Sequence, residues 1–329
     1  MNLDAALPDV PLKEVPALAQ AAEEMGFDAL WTSETHHDPF LPCALIAEHT
    51  RRLKMGTAIA VSFARSPANL AYTAWDLAAQ SDGRFMLGLG TQVKAHIERR
   101  FGMPWPDSVT GKLREQILAI RALWDVWQNG AKLNFRGEYY KLTLMSPFFN
   151  PGPIAHPEIP IYIAGVNEGL ATLAGELCQG FHVHPFHSPR YLREVILPAI
   201  QAGLHQKGRE RKEISVSVTA FVATSPEEET FARSQLAFYA STPSYRAVMA
   251  LYGWDGVAQQ LSAHAARGEW ADMPALITDE MLHEFCLVTE EEHLAAGLRE
   301  RYAGIADRLG LYSPFMPAER VERWRQLVS

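Results

Sequence analysis

The sequence predicts an α/β protein folded as a single (β/α)8 TIM barrel with insertions after strands 4 and 7. Three observations carry this expectation. Eight short apolar runs, at residues 2–7, 27–33, 54–62, 84–91, 159–164, 180–186, 213–224 and 306–313, are separated throughout by segments of helical spacing. The 329 residues, 48% of them hydrophobic, accommodate the roughly 250 residues of such a barrel plus insertions. The first run is not followed by the glycine-rich phosphate turn of an open, doubly wound sheet. One domain is expected over 1–329, with an insertion at about 130–158 and a helical insertion at about 226–304.

The first strand ends at Pro8. Val15, Leu18, Ala19, Ala22 and Met25 then recur at helical spacing, and Gly26 stops the helix. "FDALWTS" is the second strand and "LKMGTAIAVSF" the third. Ser66-Pro67 opens a helix that Gly83 ends. The fourth strand, "RFMLGLGTQ", leads to a helix over about 111–128 and then to a stretch dense in proline and glycine, read as an inserted loop or hairpin. "IPIYIAG", a helix from Glu168, "GFHVHPF" and a helix after Ser188-Pro189 continue the alternation. "EISVSVTAFVATS" shows period-two alternation. A long helical region from Pro226, the strand "ADRLGLYS" and a short helix from Pro317 complete the chain.

The formal charge of −8 argues against a nucleic-acid binder, which needs a basic stripe. Cys43, Cys178 and Cys286 are odd in number and far apart, so neither a disulfide framework nor a cysteine zinc site is expected. The amino terminus lacks a basic region followed by an apolar run, and no apolar stretch approaches the ~20 residues that span a bilayer. The expectation is a soluble cytoplasmic protein.

Chemistry in a barrel sits at the carboxyl ends of its strands. "SETHHDPF", "SFARSP", "GTQVKAHIERR", "AGVNEG" and "HVHPFHS" occupy those positions. His182 and His184 alternate on one strand and, with His37 and Asp38, raise a zinc or nickel set. No HExxH and no bridging lysine complete it, so no metal is expected. No G-x-S-x-G elbow supports a nucleophile. Lys94, Arg99, Arg100 and Arg65 form a local basic group in an acidic chain, readable either as an anion site or as a solvated face.

In order and spacing, "GFDALWTSETHHDPF", "LKMGTAIAVSFARSPANLAYTAWDLAAQSDGRFMLGLGTQ", "HIERRFGMPW", "FRGEYY" and "IPIYIAGVNEGLATLAGELCQGFHVHPF" resemble the luciferase-like flavin and deazaflavin barrels, specifically the F420-dependent oxidoreductases among them. The resemblance implies a non-prolyl cis peptide at the end of the third strand, matching Ala58-Ile59, that backs the central ring of the cofactor. It implies cofactor contacts at Gly90, Thr91, Gln92 and His96, at Ala164, Gly165 and Val166, and at His184. The acid at the end of the second strand is Glu34. The branch most resembled reads acid-x-x-His-Asp-Pro-Phe, which singles out His37 over His36, the latter expected to point away. Relatives that place the histidine directly after the acid have it where this chain has Thr35. Relatives acting on sugar phosphates carry a glutamate where this chain has Val93, so that chemistry is not expected.

The resemblance thus implies hydride transfer between coenzyme F420 and a small organic substrate, with His37 as acid–base group and Glu34 orienting it or bonding the ring. The segment around residues 135–149, with Tyr139, Tyr140, Phe148 and Phe149, is a candidate lid. The alternatives are a two-component monooxygenase using reduced FMN and, in another class, a metal-dependent hydrolase. A homodimer or higher homo-oligomer is expected from the resembling family.

Overall fold

The computed structural model describes residues 1–328. Its barrel strands are β1 (Asn2–Ala6), β2 (Ala29–Thr32), β3 (Lys54–Thr57, resuming at Ala60–Val61), β4 (Phe85–Gly90), β5 (Ile161–Gly165), β6 (Gly180–Val183), β7 (Ser215–Ala223) and β8 (Arg308–Leu311). They pair in chain order, β7 pairs both β6 and β8, and β8 returns to β1. The register runs Ala29↔Lys54 to Thr32↔Thr57 between β2 and β3, and Ser217↔Arg308 to Ala220↔Leu311 between β7 and β8, all parallel. This is the (β/α)8 TIM barrel that the sequence predicts. Its contacts divide into two compact units, one of residues 5–164 and 177–180, the other of the remaining described chain.

In the first unit, α1 (Val15–Met25) ends on Gly26, whose φ of 101° suits a residue without Cβ. An unanticipated helix, α2 (Phe40–His49), follows β2. Ser66 caps α3 (Pro67–Gln80) by accepting the Asn69 N–H at 3.1 Å. After β4 comes a second unanticipated helix, α4 (Lys94–Arg99), and then α5 (Val109–Asn129). The third strand is not continuous as expected: it breaks between Thr57 and Ala60, and the Ala58-Ile59 peptide in the gap is cis.

The insertion contains a two-stranded antiparallel hairpin, Phe135–Arg136 with Lys141–Leu142. Glu115 of α5 anchors it: its carboxylate accepts the backbone N–H groups of Glu138 (2.7 Å), Tyr139 (2.9 Å) and Tyr140 (3.2 Å). Gly137 lies so close that a Cβ there would stand 2.0 Å from Glu115 Oε2. Beyond the hairpin, Tyr72 and Trp75 of α3 donate to the carbonyls of Phe149 (2.6 Å) and Gly152 (3.1 Å), while the rings of Phe148 and Phe149 remain exposed.

In the second unit, α6 (Glu168–Leu177) follows β5, α7 (Leu197–Gln206) completes a helical run begun at Pro189, and Ser225 caps α8 (Pro226–Ala240). The region expected to be helical over about 226–304 holds α9 (Asp255–Arg267), α10 (Asp279–Phe285) and α11 (Leu294–Arg301), but also a strand, Cys286–Val288, paired parallel with the end of β7. The last helix, α12, is Val321–Val328. Asp4 and Arg308 form a buried bidentate ion pair at 2.6 and 2.7 Å. No helix among the described residues is long and apolar enough to cross a membrane.

Candidate active site

The first unit builds its polar site on the loop after β2 and on the break in β3. Two backbone bonds stitch these together: Ala58 N–H to Thr32 O at 2.7 Å and Glu34 N–H to Ile59 O at 3.3 Å. Ala58 packs on a buried cluster of Ala29, Trp31, Met86 and Tyr162, with the Trp31 and Tyr162 rings 5.5 Å apart. Gly56 is required behind it, since a Cβ there would stand 2.4 Å from Met86 O and 2.6 Å from the Trp31 ring. Gly90 faces Ile59, and a Cβ on it would stand 2.5 Å from that side chain. Ala58 and Ile59 are left half-buried.

Glu34 is buried. Its Oε2 accepts the Val61 N–H and an Arg65 N–H, both at 2.6 Å. Arg65 also donates to Asp38 Oδ2 at 2.9 Å, and Asp38 Oδ1 accepts the Phe40 N–H at 2.8 Å, starting α2. Burial opposes the Arg65 charge, but Glu34 and Asp38 outweigh it and hold the guanidinium above its ordinary range. Gln116 of α5 secures the same loop through the carbonyls of Ser62 (2.9 Å) and Arg65 (3.0 Å). Arg65 is the residue that sequence reasoning placed in a loose basic group; its carboxylate partners lie 31 and 27 positions back in the chain.

Glu34 therefore engages Arg65, and no hydrogen bond or ion pair joins it to His37. His36 and His37 reach the same side chain: His36 Nδ1 contacts Asp9 Oδ2, and His37 Nε2 stands 3.4 Å from Asp9 Oδ1. Both imidazoles are largely exposed, and one carboxylate serves both. The rest of the basic group is dispersed: Lys94 faces Glu98 at 3.8 Å, and Arg100 donates to Thr35 O at 2.6 Å. Thr91 is buried and donates to Gln92 O at 3.2 Å, Gln92 adopts a left-handed φ of 58°, and His96 is exposed on α4. Ala164, half-buried near the end of β5, belongs to this unit.

In the second unit, Gly165 O accepts the His184 N–H at 3.2 Å, and a Cβ on Gly165 would meet Leu170 at 2.7 Å. Val166 is buried and its carbonyl takes the Tyr191 hydroxyl at 3.1 Å. His184 Nδ1 accepts the Phe186 N–H at 3.1 Å, and its ring stands 4.4 Å from Tyr245 and 4.8 Å from Tyr239. His187 donates through Nδ1 to His184 O at 2.9 Å, which leaves Nε2 to accept from Tyr302 at 3.0 Å. Burial depresses all three histidines of this segment: His182 to about 3, with Arg308 adding to the effect, His184 to about 3, with His187 adding, and His187 to about 4. Among the described residues, the groups with metal-ligand spacing are His264, Glu269 and Asp272, and Glu290, Glu292 and His293; neither includes His37, Asp38, His182 or His184.

The barrel is one that an enzyme family shares. The chain belongs to the luciferase-like monooxygenase family, whose model matches residues 2–308. An uncharacterized protein of Mycobacterium tuberculosis is 44% identical over 315 residues, covering 94% of this chain and 92% of that one. The 5,10-methylenetetrahydromethanopterin reductase of Methanolobus tindarius is 26% identical over 302 residues, 89% and 88% of the two chains. Among solved structures, the coenzyme F420-dependent tetrahydromethanopterin reductase from Methanopyrus kandleri superposes with a TM-score of 0.80 at 19% identity, over 100% of this chain and 97% of that one.

Proposed function

We propose that this protein is an oxidoreductase that transfers a hydride between coenzyme F420 and a small organic substrate. The observation that carries the reading is the half-buried surface at Ala58 and Ile59, backed by the Trp31, Met86 and Tyr162 cluster and faced by Gly90, where any side chain would collide with Ile59. A planar tricyclic ring needs a half-buried surface of this kind. F420 in that place supplies two-electron hydride chemistry at C5.

The chain's own groups divide the remaining work. Ala58, Ile59 and Gly90 hold the ring plane. Thr91, Gln92, His96 and Ala164, with Gly165 and Val166 by resemblance, take the side chain and anionic tail. His37 holds or releases the substrate proton at Nδ1, because its Nε2 faces Asp9, which orients the ring. Glu34, through Arg65 and the Val61 N–H, fixes the backbone of the wall rather than the imidazole. The proposal includes assembly as a homodimer or higher homo-oligomer.

The description of the family favours a second reading, in which reduced FMN and oxygen take part. Absorbance titration of the purified protein with F420 and with FMN separates the two. Saturable F420 binding with no FMN binding is expected. Tight FMN binding without F420 binding overturns the proposal.

A further inference from the structure

The second unit carries a cluster of aromatic side chains around His184. Phe221 on β7 is fully buried and packs at 4.1 Å on Tyr312, which directly follows β8. Tyr239 of α8 and Tyr245, just beyond that helix, both pack on the His184 ring. Phe238 and Trp270, both exposed and 6.1 Å apart, extend the aromatic surface beyond Tyr239. His184, Tyr239, Tyr245 and Tyr312 each keep part of their surface accessible.

The hydrogen bonding of this patch leaves little to offer a ligand. Tyr312 donates its hydroxyl hydrogen to Gln235 Oε1 at 2.9 Å, so in the Tyr239–Tyr312 contact at 2.8 Å Tyr239 is the donor. Both hydroxyl hydrogens are thereby used. His184 Nδ1 accepts the Phe186 N–H, which puts the ring proton on Nε2, and that N–H has no hydrogen-bond partner among the described residues. Burial lowers His184 and raises Tyr239, Tyr245 and Tyr312, so all four are uncharged at neutral pH. None of the ring contacts or hydrogen bonds of these side chains involves a charged side chain.

We infer that this patch is a binding site for an uncharged, planar, conjugated molecule bearing one carbonyl-type acceptor, with one aromatic face stacking on its plane, the perpendicular rings meeting it edge-on, and His184 Nε2–H donating to its acceptor. An anion would be desolvated against aromatic faces with only one neutral donor, and a cation would be opposed by the Nε2–H dipole of His184. The inference goes beyond the proposed function and assigns His184 to this molecule, whereas the resemblance assigns it to the cofactor.

The test is equilibrium dialysis of the full chain, without cofactor, against three probes of one ring system: 2-acetylnaphthalene, 2-ethylnaphthalene and 2-naphthoate. The acetyl compound should bind about tenfold more tightly than the ethyl compound and more tightly still than the carboxylate. His184→Ala should remove the tenfold preference and leave the ethyl compound unchanged, whereas Tyr245→Leu should weaken both neutral probes together. Circular dichroism melting checks that each variant is folded. Equal or tighter binding of naphthoate, no binding of the acetyl compound, or an acetyl preference that survives His184→Ala overturns the inference. Because no cofactor is present, failure of F420 to bind would sink the proposed function and leave these results standing.

Discussion

Arg65 and Glu34 face each other at 2.6 Å across two strand ends, and the carboxylate that receives the guanidinium also receives the Val61 N–H. The pair is a brace between the loop after β2 and the resumed end of β3. Arg65→Ala strands a buried carboxylate. Breaking a buried pair costs about 3–5 kcal/mol; Arg65 retains some exposure, so the lower part of that range is expected in urea denaturation. F420 affinity should fall with it. An unchanged unfolding midpoint would show that the brace contributes nothing.

Gly90 admits no side chain without moving Ile59. Gly90→Ala should weaken F420 binding about tenfold or more, with a stability loss of about 1–3 kcal/mol from overpacking. Isothermal calorimetry reads the first and thermal denaturation the second. A variant that binds F420 normally would remove Gly90 from the cofactor wall.

His37→Ala should retain F420 affinity and lose roughly 10²- to 10⁴-fold in turnover, the range of a general acid–base group. Asp9→Asn should lose less, since it orients the imidazole and does not move the proton. Unchanged turnover in the His37 variant would refute the acid–base role.

Acid should destabilise the fold through His182, His184 and His187. Each is held neutral by burial, with a folded value of about 3, 3 and 4 against an unfolded value near 6.5. Below pH 6.5 the unfolded chain binds protons that the folded chain refuses. Stability is therefore complete above about pH 6.5 and falls as the pH drops toward the folded values, at up to about 1.4 kcal/mol per pH unit for each histidine. His187→Gln should shallow that slope by about a third in urea melts between pH 6 and 4.5. A slope identical to that of the unmodified protein would exclude His187 as a contributor.

The barrel strands were legible because each is a short apolar run set between helical periods. What escaped had physical reasons. The helix Phe40–His49 is apolar on nearly every side, so it shows no face to a periodicity argument. The strand Cys286–Val288 is three residues long and lies directly against α10. The interruption of β3 is invisible in "GTAIAV", where every residue is small or apolar, and only the family resemblance pointed to it. At the site, the residue types at the strand ends were readable, but their pairings were not. Arg65 meets acids some thirty residues away, and the neighbouring His36 and His37 reach one aspartate because their loop is not extended.

The attachment of the hairpin at Glu115 bears on how this protein diversifies. Three consecutive amides of residues 138–140 converge on one carboxylate of α5, and Gly137 keeps the approach clear. The hairpin is thus a cassette with one main plug, seconded by the Tyr139 hydroxyl, which accepts the Ser108 N–H at 3.3 Å. Its tip can be lengthened, shortened or exchanged for a homologous one without redesign of the barrel, provided the glutamate and the glycine travel together. Chimeras that respect this pair should keep the barrel folded.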